Sequence, residues 1–221
     1  MSAIAPKHMN PLLAAYLRNL TTHPLRTKAI TTALLQFFQE ILASHLSRTP
    51  PPRVAKDAPL LAHALARAQV SGKALKMAAY GAGVSAPLAH ALVSALQRAF
   101  AGRAGEGVAG RVRMLLASQL VVAPIQILAY LSCMAVINGA KSANEVWKTV
   151  KAGFLPVMRI TWMTSPVYTV FAQQFLPAEM WVPFFNLMQF IAGTYFNTKL
   201  KQMRLKADAE AKAKKDAENK D

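Results

Sequence analysis

Hydrophobic and polar positions fall in long blocks along this chain. From Met77 to Gln97 and from Met114 to Ala140 there is no Asp, Glu, Lys or Arg, and two further uncharged runs, 160–178 and 180–198, are separated only by Glu179. A helix needs roughly 20 apolar residues to cross a bilayer. The pattern predicts an all-α fold, a polytopic membrane helical bundle of four transmembrane helices with interfacial or re-entrant short helices. The spans fall at about 25–46, 73–98, 113–139 and 177–198. Residues 1–24 read as a basic interfacial arm, 25–198 as a single transmembrane bundle and 199–221 as a charged helical or disordered tail.

The first span is the most polar. Thr32, Gln36, Glu40 and Ser44 recur every four residues with Gln39 beside them, so they share one side of a helix, while Ile30, Leu34, Phe37, Phe38 and Ile41 occupy the other. One side suits lipid, the other protein or water. Before it, Pro11 and Pro24 bracket a short amphipathic helix over 12–20. After it, the Thr-Pro-Pro-Pro-Arg run at 49–53 stops the helix, and a short surface helix over 58–71 follows.

Pro87 in the second span predicts a kink, and Gly81, Gly83, Ser85 and Ala86 let a neighbouring backbone approach. Gly102 to Gly110 reads as a flexible linker. It lacks the strand, spacing and Lys-Ser/Thr ending of a phosphate loop. Residues 143–151 predict a short amphipathic helix ending at Gly153, and the prolines of 153–176 break that membrane segment into pieces that span, re-enter or lie at the surface.

Composition changes the picture less than the distribution does. Lys and Arg number 26 against 10 Asp and Glu, for a net charge of +16. That excess alone would suggest nucleic acid, but the basic residues flank apolar runs, so the expected partner is the lipid bilayer and not nucleic acid. The N-terminal basic bias also suits a mitochondrial presequence. With four spans, 16 of the 26 basic residues fall with the arm, the 98–113 loop and the tail, which places both termini on the cytosolic side.

Candidate chemistry is sparse. Cys133 is the one cysteine, the five histidines form no pair at ligand spacing, and there is no nucleophile–base–acid constellation. No cofactor, metal or catalytic residue is expected, and the protein reads as a non-enzyme.

Several short motifs then accumulate in order. Tyr16-Leu17, His23-Pro24 and Thr27-Lys28 open the chain. Gly83, Pro87 and His90 follow, then Gln119 with Pro124, then Trp162 with Pro166, and last Pro177 and Asn186. In this order, over about residues 14–200, the chain resembles the family typified by the twenty-two-kilodalton peroxisomal membrane protein and the mitochondrial protein Mpv-seventeen. It departs from the pattern where Glu40 stands for the usual Asp, Ser118 for the Asp before Gln119, and Ser165 for a second Trp. Tyr80-Gly81 and Leu155-Pro156 look nearer to the peroxisomal branch, and the proline loop and tail resemble fungal members.

The resemblance implies a peroxisomal membrane protein that forms or supports a channel for small metabolites. The alternatives it leaves are an organelle-membrane scaffold that recruits cytosolic partners through its tail, and a mitochondrial inner-membrane homeostasis protein. A homo-oligomer is among the implied partners.

The residues themselves support two readings. Gln36, Gln39 and Glu40, then His90, then Gln119 and Gln126, then Asn186 and Gln189 give each span a polar stripe, and converging stripes would line a hydrated path. The same side chains hydrogen-bond between helices and hold a bundle together, at about 0.6 kcal/mol per contact. Glu40, ionisable at membrane depth, is the candidate cation-attracting or gating group. Trp162 and Trp181 read as interface anchors.

Overall fold

The computed structural model describes residues 10–101, 107–176 and 180–218. Pro177 and the centre of the glycine-rich linker lie outside the described residues. All regular structure among those described is helical.

The short helix α1 (Pro11–Thr22) turns at His23 into α2 (Pro24–Leu46). The corner is pinned by Thr27, whose hydroxyl donates to the carbonyls of Asn19 and His23, both at 2.9 Å. The surface helix α3 (Leu60–Arg67) precedes a long rod made of α4 (Gly72–Tyr80), a π-helical turn at Gly81–Ser85, and α5 (Ala86–Phe100). A second rod repeats the design with α6 (Gly107–Ala117), a π-turn at Ser118–Val122 and α7 (Ala123–Ile137). Two long uninterrupted helices complete the chain, α8 (Ala143–Phe175) and α9 (Trp181–Glu218).

The prolines do not act as the sequence suggests. Before Pro87 and before Pro124 the helix widens by one residue. The N–H of Ala86 reaches back to Gly81 and that of Ala123 to Ser118, five residues instead of four. A proline ring otherwise collides with the carbonyl four residues earlier. The wider turn absorbs that conflict, so each rod stays continuous. Pro156 and Pro166 lie inside α8 with no interruption, which corrects the proline-broken segment expected over 153–176 and the helix end expected at Gly153. Packing explains it. Ile127 and Leu131 of α7 pack with Val150, Val157 and Met158 of α8. Gly153 lets Leu131 come so close that a Cβ there would sit 2.9 Å from its methyl.

Five long rods therefore run alternately up and down. Glu40 meets Lys73 and Thr32 meets Gly81, so α2 and the α4–α5 rod are antiparallel. Met77 and Tyr80 pack on Met134. Gln119 meets Ser165 while Leu131 meets Gly153, so α8 retraces the length of α7. Phe171 stacks on Phe184 at 5.6 Å where α9 starts. The last helix runs parallel to α2, because Tyr16 meets Asn186, Gln39 meets Gln189 and Ser44 meets Lys201 in succession. The charged half of α9 thus emerges at the end opposite α1, not beside it as four spans would require.

Polarity is arranged inside out. In α2, Gln39, Glu40 and Ser44 are buried, while Ile30, Leu34, Phe38, Leu42 and Leu46 form an exposed stripe one turn apart. Similar exposed apolar stripes run down α8 (Met163, Val167, Val170) and α9 (Leu187, Ile191, Tyr195). By length and apolarity alone, two rods qualify as membrane spans, Gly72–Phe100 and Val112–Ile137.

Candidate polar cavity and ion cluster

Two sites sit on this scaffold. The larger is a cavity of about 300 Å3 among all five rods. Gln36 and Gln39 enter it from α2, Tyr80 and Ser85 from the second rod, Gln126 and Tyr130 from α7, Thr161 and Tyr168 from α8, and Asn186 and Gln189 from α9. Among the described residues, no charged side chain lines it. Its walls offer hydroxyls and carboxamides, groups that can trade hydrogen bonds with a polar solute or with water without a charge of their own.

The lining is held by specific contacts. Gln39 donates through Nε2 to the carbonyls of Gln189 at 3.1 Å and Phe190 at 3.3 Å. It fits there because residue 193 is glycine. A Cβ at Gly193 would lie 2.5 Å from that nitrogen. Asn186 donates to the Tyr16 hydroxyl at 3.2 Å, which ties α9 to α1. Tyr130 donates to Asn197, a residue with no exposed surface. Gln36 Oε1, although buried, has no hydrogen-bond partner among the described residues.

The smaller site lies at the end of the bundle where α2 stops. Glu40, 1% exposed, accepts from Lys201 at 2.7 Å and from Lys73 at 3.1 Å, both on Oε1. Lys201 also donates to the Ser44 hydroxyl and to the Glu40 carbonyl. Glu40 therefore does not line the polar cavity with the glutamines. It is the hub of an ion cluster between three helices, with its charge already met by two ammonium groups.

The remaining sequence candidates separate in the same way. Gln36, Gln39, Gln126, Asn186 and Gln189 converge on the cavity. His90 lies half-buried on α5 outside that lining. Gln119 is engaged between helices, its side-chain amide donating to Ser165 and its main-chain carbonyl accepting from Trp162 Nε1 at 3.1 Å. Trp162 is thus a helix-to-helix link, and Trp181 donates to the carbonyl of Leu176 at the turn into α9. Pro24 opens α2, Lys28 sits half-buried one turn on, and Pro87, Pro124 and Pro166 are intrahelical.

Gly83 faces open space, whereas Gly81 is the glycine the packing needs, since a Cβ there would lie 2.8 Å from the Thr32 carbonyl oxygen. Gly81 is among the small residues that the sequence pattern marks for close backbone approach, whereas nothing in that pattern marks Lys73, Lys201, Tyr130 or Gly193 as site residues. Lys201 was hidden in a run of tail charges and Gly193 in an apolar run. The available signal was arithmetic: a buried carboxylate on one helix requires a cation on another.

Comparison with known proteins agrees with the resemblance in the motifs. Residues 135–197 match the Mpv17 / PMP22 family model. The chain is 47% identical over 195 residues to the Woronin body membrane protein wscA of Aspergillus fumigatus, covering 88% of this chain and 79% of that one. It is 44% identical to the Woronin sorting complex protein of Neurospora crassa, over 88% of this chain and 59% of that longer protein. Peroxisomal membrane protein 2 of Bos taurus is 27% identical over 80% of this chain and 83% of its own. No solved structure matches.

Proposed function

Because the chain belongs to the Mpv17 / PMP22 family and is a peroxisomal membrane protein, we propose that it provides a channel-like path for small polar solutes and has no catalytic activity. The observation that carries this reading is the cavity of about 300 Å3, to which every rod contributes a neutral polar side chain. Polar groups this deep in a membrane bundle are costly unless they serve a hydrated path or bond one another. The unpartnered Gln36 Oε1 is a wall atom that water or solute would satisfy.

The same reading takes all five rods across the bilayer. The exposed stripes on α2, α8 and α9 are large contiguous apolar surfaces, and lipid is the solvent that makes them favourable. Helix α8, about 50 Å long by its 33 residues, runs beside a rod already apolar enough to span. Among the described residues, 16 Lys and Arg lie at the end bearing the charged half of α9 and 6 at the other, with Arg159 between them along α8. That asymmetry favours a cytosolic C-terminal end and a lumenal α1.

A second reading, an organelle scaffold, draws on α9 itself. It continues as one helix of 38 residues from the cavity into the charged tail, and one relative is named a sorting complex protein. A homo-oligomer and cytosolic partners on the tail belong to this reading.

Release of graded solutes from liposomes containing the folded, inserted protein tests the channel. Size-limited release that a Gln126→Leu substitution reduces is expected. Release no greater than from protein-free liposomes overturns the channel and leaves the scaffold.

A further inference from the structure

The end of the bundle around Glu40 holds more positive than negative charge. Its one carboxylate meets two ammonium groups, and Arg204 lines the same cavity, about 230 Å3 in volume, with no second acid among the described residues of its walls. Lys73 and Lys201, largely withdrawn from water, need counter-charge, and Glu40 supplies one for the two, while Arg204 adds a third cation from the exposed rim. Gln69 and Ser71 add neutral polar groups. The cavity also meets the start of α4, where Ser71 caps the helix and the positive end of its dipole adds to the field.

One further atom narrows the ligand. Glu40 Oε2 is buried and has no hydrogen-bond partner among the described residues. A plain anion would be drawn by the cations but repelled by this oxygen. An anion that also carries an O–H satisfies both, accepting from Lys73, Lys201 and Arg204 while donating to Oε2. A phosphate monoester and hydrogen phosphate have this make-up, with a last proton that titrates near neutrality.

We propose that this cavity binds a phosphate monoester group, carried either by a lipid headgroup such as that of phosphatidic acid or by free hydrogen phosphate. The proposal concerns the ion cluster alone and stands whether or not the polar cavity conducts.

The test uses the full-length protein in detergent. Its unfolding temperature is followed against inorganic phosphate, sulfate and chloride at matched ionic strength. Lipid retention is measured by native mass spectrometry after extraction from phosphatidylcholine vesicles containing either phosphatidic acid or phosphatidylglycerol. Stabilisation that grows with phosphate concentration and exceeds that by sulfate assigns free phosphate as a ligand. Preferential retention of phosphatidic acid assigns the lipid. In either case Arg204→Gln, at an exposed position, should weaken binding about tenfold or more, and Lys76→Gln, exposed and outside the cavity, should not. Equal responses to phosphate and sulfate without a preference for phosphatidic acid overturn the proposal, as does an Arg204→Gln protein that binds like wild type.

Discussion

Lys201 Nζ lies 2.7 Å from Glu40 Oε1, although 161 residues separate the two along the chain. The contact joins the last helix to the first long one at the point where α9 passes from its apolar to its charged half. It turns the one acid expected at membrane depth into a partner for two lysines, and it makes the beginning of the tail part of the bundle.

Removing the carboxylate should therefore destabilise the protein. Glu40→Gln leaves two largely buried ammonium groups facing a neutral amide, a change in the class that costs about 3–5 kcal/mol. A clear fall in the midpoint of thermal unfolding in detergent checks it. Lys73→Met and Lys201→Met added to Glu40→Met should recover most of the loss, because the charge left in the cavity wall, Arg204, is exposed and solvated.

The two neighbouring glycines of the first π-turn should behave differently. At Gly81 a side chain would press on the Thr32 backbone, which cannot yield without moving α2, so Gly81→Val should cost about 1–3 kcal/mol. Gly83→Ala meets nothing within 4 Å and should leave the unfolding midpoint close to that of wild type. Parallel melts of the two variants decide the point.

Gly193 offers a way to fill the polar cavity from its wall. A leucine there would push aside the Gln39 amide, the flexible end of a side chain, and occupy the space it left. Solute release from liposomes should fall several-fold for Gly193→Leu while the protein still inserts and elutes as wild type.

The hydroxyl of Tyr130 should carry measurable stability. Its loss in Tyr130→Phe leaves Asn197 Oδ1 without its donor inside the bundle, and a stranded buried acceptor costs about 1–3 kcal/mol. A double-mutant cycle with Asn197→Leu should show the two effects to be strongly non-additive.

Sidedness can be read with thiol chemistry. In a Cys133→Ser background, single cysteines placed at Thr21 in α1 and at Lys206 in α9 should differ in intact organelles. An impermeant maleimide should label the second and reach the first only after the membrane is opened. Equal labelling of both would show an even number of crossings. A separate tail truncation that begins after Lys206 spares Lys201, so any loss of partner recruitment would report on the scaffold and not on the ion cluster.

Much of the architecture could be read from the chain because it depends on local pattern. Charge-free runs longer than a bilayer is thick mark the two apolar rods, and a four-residue repeat of polar positions marks the buried face of α2. Motif order along the whole chain was enough to recognise the family. Proline was misleading for a reason that is not local. Whether Pro156 and Pro166 break a helix depends on whether another helix packs along its length to offset the lost hydrogen bonds. Only the tertiary structure decided that, together with which polar side chains share a cavity and which acid meets which lysine. Those outcomes rest on contacts between helices that are distant in the chain, more than a hundred positions apart for Gln39 with Gln189 and Glu40 with Lys201. A one-dimensional pattern fixes which face of a helix is polar, but helix packing selects the group that faces it.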